Sequence, residues 1–220
     1  GAEKARDINI DGRQLHNIHF AMEYLTDNTK HLLDDSPLKI NAKGLSVVII
    51  GGGDTANDCV ATAISQGAKS VRQLEMLAKK ADRKKAYYDF DEDAVRLYEQ
   101  TAVKFVDCDG CVSRIITDQV QVIRDENGTK IEFKDQKGEI EAELVLVAIG
   151  FLGPVDEALA AFDVKLDRNI HNRDTTIFTT EKENIFICGD ARRGQSLIKW
   201  AIGEGKMAAL VIEEYLKSKS

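Results

Sequence analysis

Proline and long apolar runs are scarce in this sequence, and their scarcity limits what the chain can be. Only 2 prolines accompany 16 glycines in 220 residues, a balance that argues against Pro-rich linkers and favours compact turns. No apolar run reaches about 18 residues, so we expect no membrane-spanning helix. The first residues lack an apolar segment, so we expect no signal peptide.

The sequence also lacks an excess of basic residues over acidic ones. Lys and Arg number 30 against 37 Asp and Glu, for a net charge of −7, which disfavours binding to nucleic acid. Four cysteines without a secretory signal predict thiols in the cytoplasm. The four histidines form no HExxH pattern, and we expect no metal site.

The most informative segment lies between two apolar runs. Residues 45–50 are short, branched and apolar, as in a strand that is buried on both faces. Residues 54–66 predict a helix, and residues 70–77 predict a second strand. The loop between the first strand and the helix fits G-x-G-x-x-A through Gly51, Gly53 and Ala56, a pattern that brings a dinucleotide pyrophosphate to a helix N-terminus.

An acidic residue follows this loop at the expected distance. Glu75 ends the second strand about 20 residues after Gly53, where a carboxylate accepts hydrogen bonds from the adenosine ribose. A carboxylate also repels the 2′-phosphate of NADPH, so NADH is slightly favoured. Nearby Arg72, Lys79 and Lys80 soften that repulsion and leave NADPH open.

A third segment lies near the carboxyl end. Residues 184–190 predict a buried strand that ends in Gly189 and Asp190, and residues 196–216 predict a long helix. Asp190 is then an acceptor for a hydroxyl group, and the N–H groups near 196–197 form a positive helix end. Glycines at 203 and 205 inside this helix predict close packing against another group.

Other elements are predicted from periodicity and turn residues. Helices are expected at 11–33 and 89–100. Strands are expected at 103–107, 112–124, 129–134 and 139–149, with hairpins at Asn127-Gly128 and Lys137-Gly138. Cys108 and Cys111 form a lone C-x-x-C between predicted strands, which favours ordinary thiols over a metal or redox site.

Three stretches together resemble the small, NAD(P)H-oxidising subunit of glutamate synthase, which matches the C-terminal part of the fused plant and fungal enzymes. The first, GRQLHNIHFAMEYLTDNTKHLLDD (12–35), is fairly specific to glutamate synthase. The others are VVIIGGGDTANDCVATAISQGAKSVRQLEML (47–77) and AIGFLGP with IFICGDARRGQSLIKWAIGEG (148–154, 185–205). These are shared with relatives such as the reductase half of dihydropyrimidine dehydrogenase.

The resemblance implies an α/β flavoprotein with two dinucleotide-binding domains. A Rossmann-like NAD(P)-binding domain at 41–150, with a βαβ unit plus an antiparallel three-stranded meander, would be inserted into a partial FAD-binding α/β domain. That FAD-binding domain would comprise 1–40 and 151–220. Hydride would pass from NAD(P)H to FAD, and electrons would leave through iron–sulfur clusters of the parent enzyme. Its large subunit makes L-glutamate from glutamine and 2-oxoglutarate.

The resemblance also assigns residues to the two cofactors. The NAD(P)H pyrophosphate would be held by Gly51, Gly52, Gly53, Asp54, Thr55 and Ala56. The FAD would be lined by Gly189, Asp190, Gln195, Ser196 and Leu197, and the turn back to the FAD domain would use Gly150 and Phe151. Hydride transfer needs no protein acid or base, so no catalytic residue is expected.

The sequence departs from the family in two ways. Residues 78–90 contain no Pro or Trp, where relatives carry both, and a second glycine-rich motif and cluster-ligating cysteines are missing. We therefore expect a C-terminal segment whose partner is the large subunit or the missing N-terminal part. Two alternatives stay open: another flavin-dependent NAD(P)H oxidoreductase of the same fold, or a non-catalytic nucleotide-binding module.

Overall fold

The computed structural model describes residues 1–79, 94–125, 128–167 and 170–219. Two compact units are present: a terminal unit of Gly1–Arg6 with Gly150–Ser220, and a central unit of Asp7–Ile149. The elements in chain order are β1 (Lys4–Ala5), β2 (Ile18–Phe20), α1 (Ala21–Asp34), β3 (Ser46–Ile50), α2 (Asp54–Ser65), β4 (Ser70–Glu75), β5 (Ala94–Tyr98), β6 (Gln100–Cys108), β7 (Cys111–Asp125), β8 (Gly128–Glu141), β9 (Leu144–Val147), β10 (Phe151–Gly153), α3 (Asp156–Ala161), α4 (Asp190–Arg193) and α5 (Ile198–Lys219).

A parallel five-stranded sheet forms the middle of the central unit, in the order β2-β9-β3-β4-β5. All five residues of β3 are buried, because this strand has neighbours on both sides and layers on both faces. Val47 and Ile49 pack toward one layer, and Val48 and Ile50 pack toward the other. This alternation follows from the two-residue period of a strand.

Different layers cover the two faces of this sheet. Helices α1 and α2 cover one face through residues such as Tyr24 and Val60, both fully buried. The antiparallel sheet β6-β7-β8 covers the other through Phe105 and Ile115. The predicted α/β class, with a βαβ unit and a three-stranded antiparallel meander, is confirmed.

The predicted helix at 11–33 is wrong in its first half. Helix α1 begins only at Ala21, because Ile18–Phe20 forms strand β2 beside β9. Before it, the carbonyl of Asp11 accepts the N–H of Phe105 at 2.8 Å, so Asp11 borders the meander and does not cap a helix. Asn17 has a φ of 66°, which ends any helical path there.

The predicted helix at 89–100 is also wrong where the structure describes it. Residues 94–98 form β5, which pairs in parallel register with β4 from Val71↔Ala94 to Glu75↔Tyr98. Sheet pairing outweighs local helix propensity in this segment. Residue 99 is a turn and residue 100 begins β6, and the remaining part of that prediction, at 89–93, lies outside the described residues.

One predicted hairpin does not form. Gly138 lies inside β8 and pairs with Thr117, so the predicted strand at 129–134 and the start of the run at 139–149 belong to one long strand. Asn127 lies outside the described residues, and Gly128 begins β8. The end of the last run, Leu144–Val147, is a separate strand of the parallel sheet.

Strand β8 is the edge of the meander. Most of its residues are exposed, including Ile131 and Phe133. Charged side chains alternate with these apolar ones and form ion pairs along the strand, with Lys130 and Lys134 flanking Glu132. The edge is therefore both long and highly charged.

In the terminal unit, β1 and β10 form a two-stranded antiparallel sheet. The predicted buried strand at 184–190 is wrong: a single bridge joins Thr179 and Phe186, and Cys188 is exposed. A strand requires a paired neighbour along its length, whereas here two backbone hydrogen bonds join Ile185 and Ile187 to Thr180 and Phe178. Helix α5 agrees with the predicted helix at 196–216.

The unit boundaries differ from the predicted domain boundaries at the amino end. Only residues 1–6 lie with the terminal unit, whereas the resemblance assigns 1–40 to the FAD-binding domain. Residues 7–40 lie in the central unit because β2 pairs with β9 and α1 packs against α2. At the other end the central unit stops at Ile149.

Across the described part of the chain, no helix combines the length and apolar character needed to cross a bilayer.

A polar side chain joins three segments of the central unit. Gln66 follows α2, and its Oε1 accepts hydrogen bonds from the hydroxyl of Tyr24 at 3.0 Å and from the N–H of Ala42 at 2.8 Å. Its amide nitrogen donates to Asn28. Burial raises the pKa of Tyr24, so this hydroxyl acts as a neutral donor.

Replacing Gln66 by Ala should therefore destabilise the central unit. The substitution leaves two buried donors unpaired, at a cost of about 2–4 kcal/mol in the free energy of unfolding. Urea unfolding followed by circular dichroism measures it. In the double variant Gln66→Ala/Tyr24→Phe the loss in the free energy of unfolding should be smaller than the sum of the two single losses, because no hydroxyl is then left unpaired. A loss below about 0.5 kcal/mol for Gln66→Ala would contradict this role of Gln66.

Candidate functional site

The chain leaves strand β3 through a glycine that no other residue can replace. Gly51 has a φ of 126°, and a Cβ built on it would lie 2.2 Å from the carbonyl oxygen of Ala148. Its N–H donates to the carbonyl of Leu74 at 2.9 Å. The tight turn expected from the motif is therefore held between the two neighbouring strands, β9 and β4.

The second glycine of the loop contacts the predicted ribose-binding acid. A Cβ on Gly52 would lie 1.4 Å from Oε2 of Glu75, so the carboxylate lies directly over this glycine. Its other oxygen, Oε1, accepts the N–H of Leu77 at 2.9 Å. Glu75 is thus oriented toward the glycine loop by its own turn.

The third glycine borders open space at the beginning of α2. Gly53 is the N-cap of the helix, and none of the residues that the structure describes has an atom within 4 Å of a Cβ built on it. Asp54 is exposed and Thr55 is half-buried in the first turn, while Ala56 is fully buried against the sheet. The free N–H groups of a 12-residue helix therefore face a gap where an anion is favoured.

The structure adds a polar network beneath this loop that was not predicted. The amide of Gln73, 2% exposed, donates to the carbonyl of Gly51 at 2.9 Å and to Asn57 at 3.3 Å. Arg96 donates to the Oε1 of Gln73 at 2.7 Å and also to Asn57. The sequence gives little signal for this network, because β4 reads SVRQLE and Gln73 is one of several polar residues in it, and Arg96 lay in a segment predicted as helix.

Cations lie around an aromatic ring beside Glu75. Tyr98 pairs with Glu75 across β4 and β5. Lys79 Nζ and the Arg96 guanidinium each lie 6.0 Å from the centre of its ring. Arg72 is exposed on β4, and Lys80, like most of the 78–90 loop, lies outside the described residues.

The terminal unit contains a buried ion pair at the second predicted site. Gly189 has a φ of 66°, and its N–H donates to Oε2 of Glu204 at 2.8 Å. Arg192 donates to both carboxylate oxygens of Glu204. The side chains of Arg192 and Glu204 are only 2% and 7% exposed, so α4 and α5 are joined by charges removed from water.

Further contacts complete this pair. Arg192 also donates to the carbonyl of Asn172 at 2.8 Å and lies over the ring of Phe178. Arg193 lies 3.3 Å from Glu204 and over the ring of Trp200. Burial raises the pKa of Glu204, but the hydrogen bonds from Arg192 and Gly189 and the nearby positive charges outweigh it, so the pKa is lowered.

This shift has a consequence for stability. A carboxyl whose pKa is lowered by folding contributes stability above its ordinary pKa, and that stability is lost as the pH falls through the folded-state pKa. The pair of Arg192 and Glu204 therefore stabilises the terminal unit at neutral pH and fails in acid.

Other residues predicted for this site form two contacts in the terminal unit. The Ser196 hydroxyl donates to Oδ1 of Asp190 at 2.8 Å. A Cβ on Gly150 would lie 3.0 Å from Nε2 of Gln195. Leu197 is 58% exposed just before α5, and Phe151 begins β10 directly after Gly150.

The glycines inside α5 do not pack closely, in contrast to the prediction. A Cβ on Gly203 or Gly205 would meet no atom within 4 Å among the described residues. The informative residue lies between them: Glu204 is buried. An acidic residue between two small ones in a largely apolar helix, with two arginines upstream, was the signal in the sequence for this ion pair.

The predicted residues therefore lie in two groups, one in each unit. Gly51, Gly52, Gly53, Asp54, Thr55, Ala56 and Glu75 lie in the central unit, and Gly150, Gly189, Asp190, Gln195, Ser196 and Leu197 lie in the terminal unit. Among the described residues, no group of three or more His, Cys, Asp or Glu side chains is arranged to hold a metal ion.

Comparison with known proteins identifies close sequence relatives. Residues 1–205 match the sequence profile of the pyridine nucleotide-disulphide oxidoreductase family. The chain is 37% identical over 251 aligned positions to the Bacillus subtilis glutamate synthase [NADPH] small chain, covering all of this chain and 50% of that protein. It is 36% identical to Schizosaccharomyces pombe glutamate synthase [NADH], covering all of this chain and 12% of that protein. The chain thus spans about half the length of the small-chain relative.

A solved structure shares the fold. Mycobacterium tuberculosis FprA in complex with NADPH aligns with 99% of this chain and 63% of its own, with a TM-score of 0.73 and 14% identity. At this identity the likeness concerns the fold alone.

The buried pair in the terminal unit can be tested by substitution. Glu204→Ala should lower the free energy of unfolding by about 3–5 kcal/mol, because it leaves Arg192 buried without its partner. The loss should be smaller for Glu204→Gln, which keeps the acceptor oxygen. Trp200, the single tryptophan, reports unfolding of this unit in urea. Glu213→Ala, on the exposed side of the same helix, is the control and should cost below about 1 kcal/mol. Equal effects of the 204 and 213 substitutions would refute the assignment.

Proposed function

Because the chain belongs to the pyridine nucleotide-disulphide oxidoreductase family, we propose that it is the NAD(P)H-binding, electron-input part of a glutamate synthase. The observation that carries this proposal is the glycine loop, with Glu75 over Gly52 and open space at Gly53. Identity over the full chain to a glutamate synthase small chain supports the choice within the family.

The residues of the central unit fit a dinucleotide. The gap at Gly53 leaves room for a pyrophosphate where the first N–H groups of α2 are free to donate. Gln73 and Arg96 hold the carbonyl of Gly51 and the side chain of Asn57, which keeps the loop and the helix in a fixed relation. The loop is thus preorganised, and binding need not order it.

We propose NADH as the slightly preferred donor. The Glu75 carboxylate is held over the loop by the N–H of Leu77, so it remains available to accept hydrogen bonds from ribose hydroxyls and repels a 2′-phosphate. Lys79 lies near Tyr98 in the same region and reduces this repulsion. The names of the two relatives specify NADPH for one and NADH for the other.

The residues of the terminal unit fit the role of a flavin-binding segment. Glu204 and Arg192 hold the backbone of Gly189 in its positive-φ conformation, and Asp190 and Ser196 form a hydrogen-bonded pair beside it. We propose that Gly150, Gly189, Asp190, Gln195, Ser196 and Leu197 line the FAD. When bound, NAD(P)H supplies a hydride and FAD accepts it; this chain contributes binding and orientation, without an acid or base.

The proposal places the chain in a larger assembly. Its partner is the glutamate synthase large subunit, or the further half that the small-chain relative contains, and the iron–sulfur clusters lie in that assembly. The product is L-glutamate from glutamine and 2-oxoglutarate. The four unpaired cysteines support the cytoplasm as its compartment.

Replacing Glu75 by Gln tests the donor preference. The amide keeps the size and the contact with Leu77 but loses the charge. NADH binding should weaken about tenfold, or about 1.4 kcal/mol, whereas NADPH binding should hold or improve. Calorimetric titration with both nucleotides measures the two dissociation constants. Glu139→Gln, an exposed acid on β8, should change neither, and an unchanged NADH/NADPH ratio in Glu75→Gln would exclude the proposed role.

Electron input is tested by flavin reduction. With FAD added to this chain together with the further half that the small-chain relative contains, and the excess removed, the complex should retain absorbance near ~450 nm that NADH bleaches. Gly53→Ala places a methyl group in the gap and should slow bleaching at low NADH at least about tenfold, with unchanged thermal stability. Gly205→Ala, which also meets open space, is the matched control.

Bleaching without glutamate formation when the large chain is added would favour another flavin oxidoreductase, and no retained flavin would favour a non-catalytic nucleotide-binding module.

A further inference from the structure

Two cysteines face each other at the tip of the β6–β7 hairpin. Cys108 ends β6, Cys111 begins β7, and the two are direct partners in the antiparallel register. The residues between them, Asp109 and Gly110, have φ values of 53° and 83°. Two consecutive residues with positive φ are typical of the type I′ turn, which closes two-residue hairpins.

Hydrogen bonds hold this turn from two sides. The carboxylate of Asp107 accepts the N–H of Gly110 at 2.7 Å. The carbonyl of Gly110 accepts the N–H of His16 at 3.0 Å, and the carbonyl of His16 accepts the N–H of Val112 at 3.1 Å. The backbone that carries the two cysteines is therefore fixed in the folded chain.

The register places the two cysteines at a Cα separation that a disulfide can span. Facing residues in an antiparallel pair have Cα atoms about 4.5–5.5 Å apart, within the range of about 4.4–6.8 Å that disulfides span. Their Cβ atoms lie about 4.5–5.5 Å apart, slightly farther than the ~3.5–4.5 Å of a relaxed disulfide. Bond formation therefore draws the two Cβ atoms slightly closer together.

We propose that Cys108 and Cys111 form a reversible dithiol–disulfide site that exchanges with low-molecular-weight disulfides of the glutathione class. Cys108 is exposed and Cys111 is half-buried, which makes Cys108 the attacking thiol. Its thiolate attacks one sulfur of the small disulfide, forms a mixed disulfide and releases one small thiol. The thiolate of Cys111 then attacks the Cys108 sulfur and releases the second small thiol. Two protons leave the protein, which is oxidised by two electrons while the small disulfide is reduced.

The other cysteines do not share this chemistry. Cys59 is fully buried, and burial raises its pKa to about 12, so it holds its proton and stays unreactive. Cys188 is exposed but lies in the terminal unit, whereas Cys108 and Cys111 lie in the central unit. The hairpin pair is distinguished by having both an accessible thiol and a partner held opposite it.

The test is equilibration of the reduced full chain with glutathione and glutathione disulfide, followed by acid quenching and peptide mass analysis. We expect the peptide containing both hairpin cysteines to lose the mass of two hydrogen atoms, with no glutathione attached. In the folded chain the effective concentration of the second thiol should exceed that in the urea-unfolded chain by about tenfold or more. Equal values in the two states would overturn the proposal, because the folded turn would then contribute nothing.

Single substitutions assign the two roles. Cys111→Ser should stop the reaction at a glutathione mixed disulfide on Cys108, and Cys108→Ser should slow glutathione uptake at the hairpin at least about fivefold. Cys188→Ser is the matched control and should leave formation of the hairpin disulfide unchanged. A persistent mixed disulfide in the unsubstituted chain, or a disulfide that includes Cys188, would contradict the assignment.

Discussion

The constraint on which the central unit depends is the complete burial of strand β3. It has strands on both sides and layers on both faces, so its residues are all apolar or small. At the carboxyl end of β3 the chain turns out of the sheet at Gly51. There the carbonyl of Ala148 leaves no room for a side chain. The glycine turn, the start of α2 and the place of Glu75 over Gly52 all follow from that exit. The loop that we propose binds the dinucleotide thus takes its form from the way this buried strand ends.

The terminal unit uses a different principle. It orders its short helix and loop with a buried ion pair in which Arg192 and the N–H of Gly189 share the carboxylate of Glu204. Such a pair is costly to desolvate, and its value lies in geometry. An apolar contact would allow the Gly189 backbone several positions. The carboxylate of Glu204 accepts one N–H of Gly189 and two of Arg192, and these three hydrogen bonds together allow one position. The unit thereby holds a single conformation at the residues that we propose contact the flavin.

The parts of the fold predicted correctly from sequence were those in which one local signal dominates. The apolar run at 45–50, the glycine loop and helix α2 are examples, because burial on both faces and positive φ leave few alternatives. The errors fell where tertiary pairing outweighs local preference. Residues 94–98 look helical but pair with β4, and residues 184–190 look like a strand but have only one bridge. A strand exists through its neighbours, which no local pattern specifies.

The same limit explains what was missed at the candidate sites. Gly51 and Glu75 belong to a spaced motif, so their positions could be predicted. Gln73 and Arg96 meet across neighbouring strands, and Arg192 and Glu204 meet across two helices. These contacts depend on packing between segments that are distant in sequence. Each pair did leave one trace, since Arg96 and Glu204 are charged residues among mostly apolar ones, and such a residue requires a partner somewhere in the fold.

The long edge strand β8 has a consequence for how copies of this chain behave toward one another. An exposed edge offers unpaired backbone groups on which a second molecule can add a strand, and exposed Ile131 and Phe133 would strengthen such an addition. Lys130, Glu132 and Lys134 place charges between these apolar side chains. Pairing of two such edge strands would remove those charges from water, which costs free energy. The charges therefore protect the meander against aggregation.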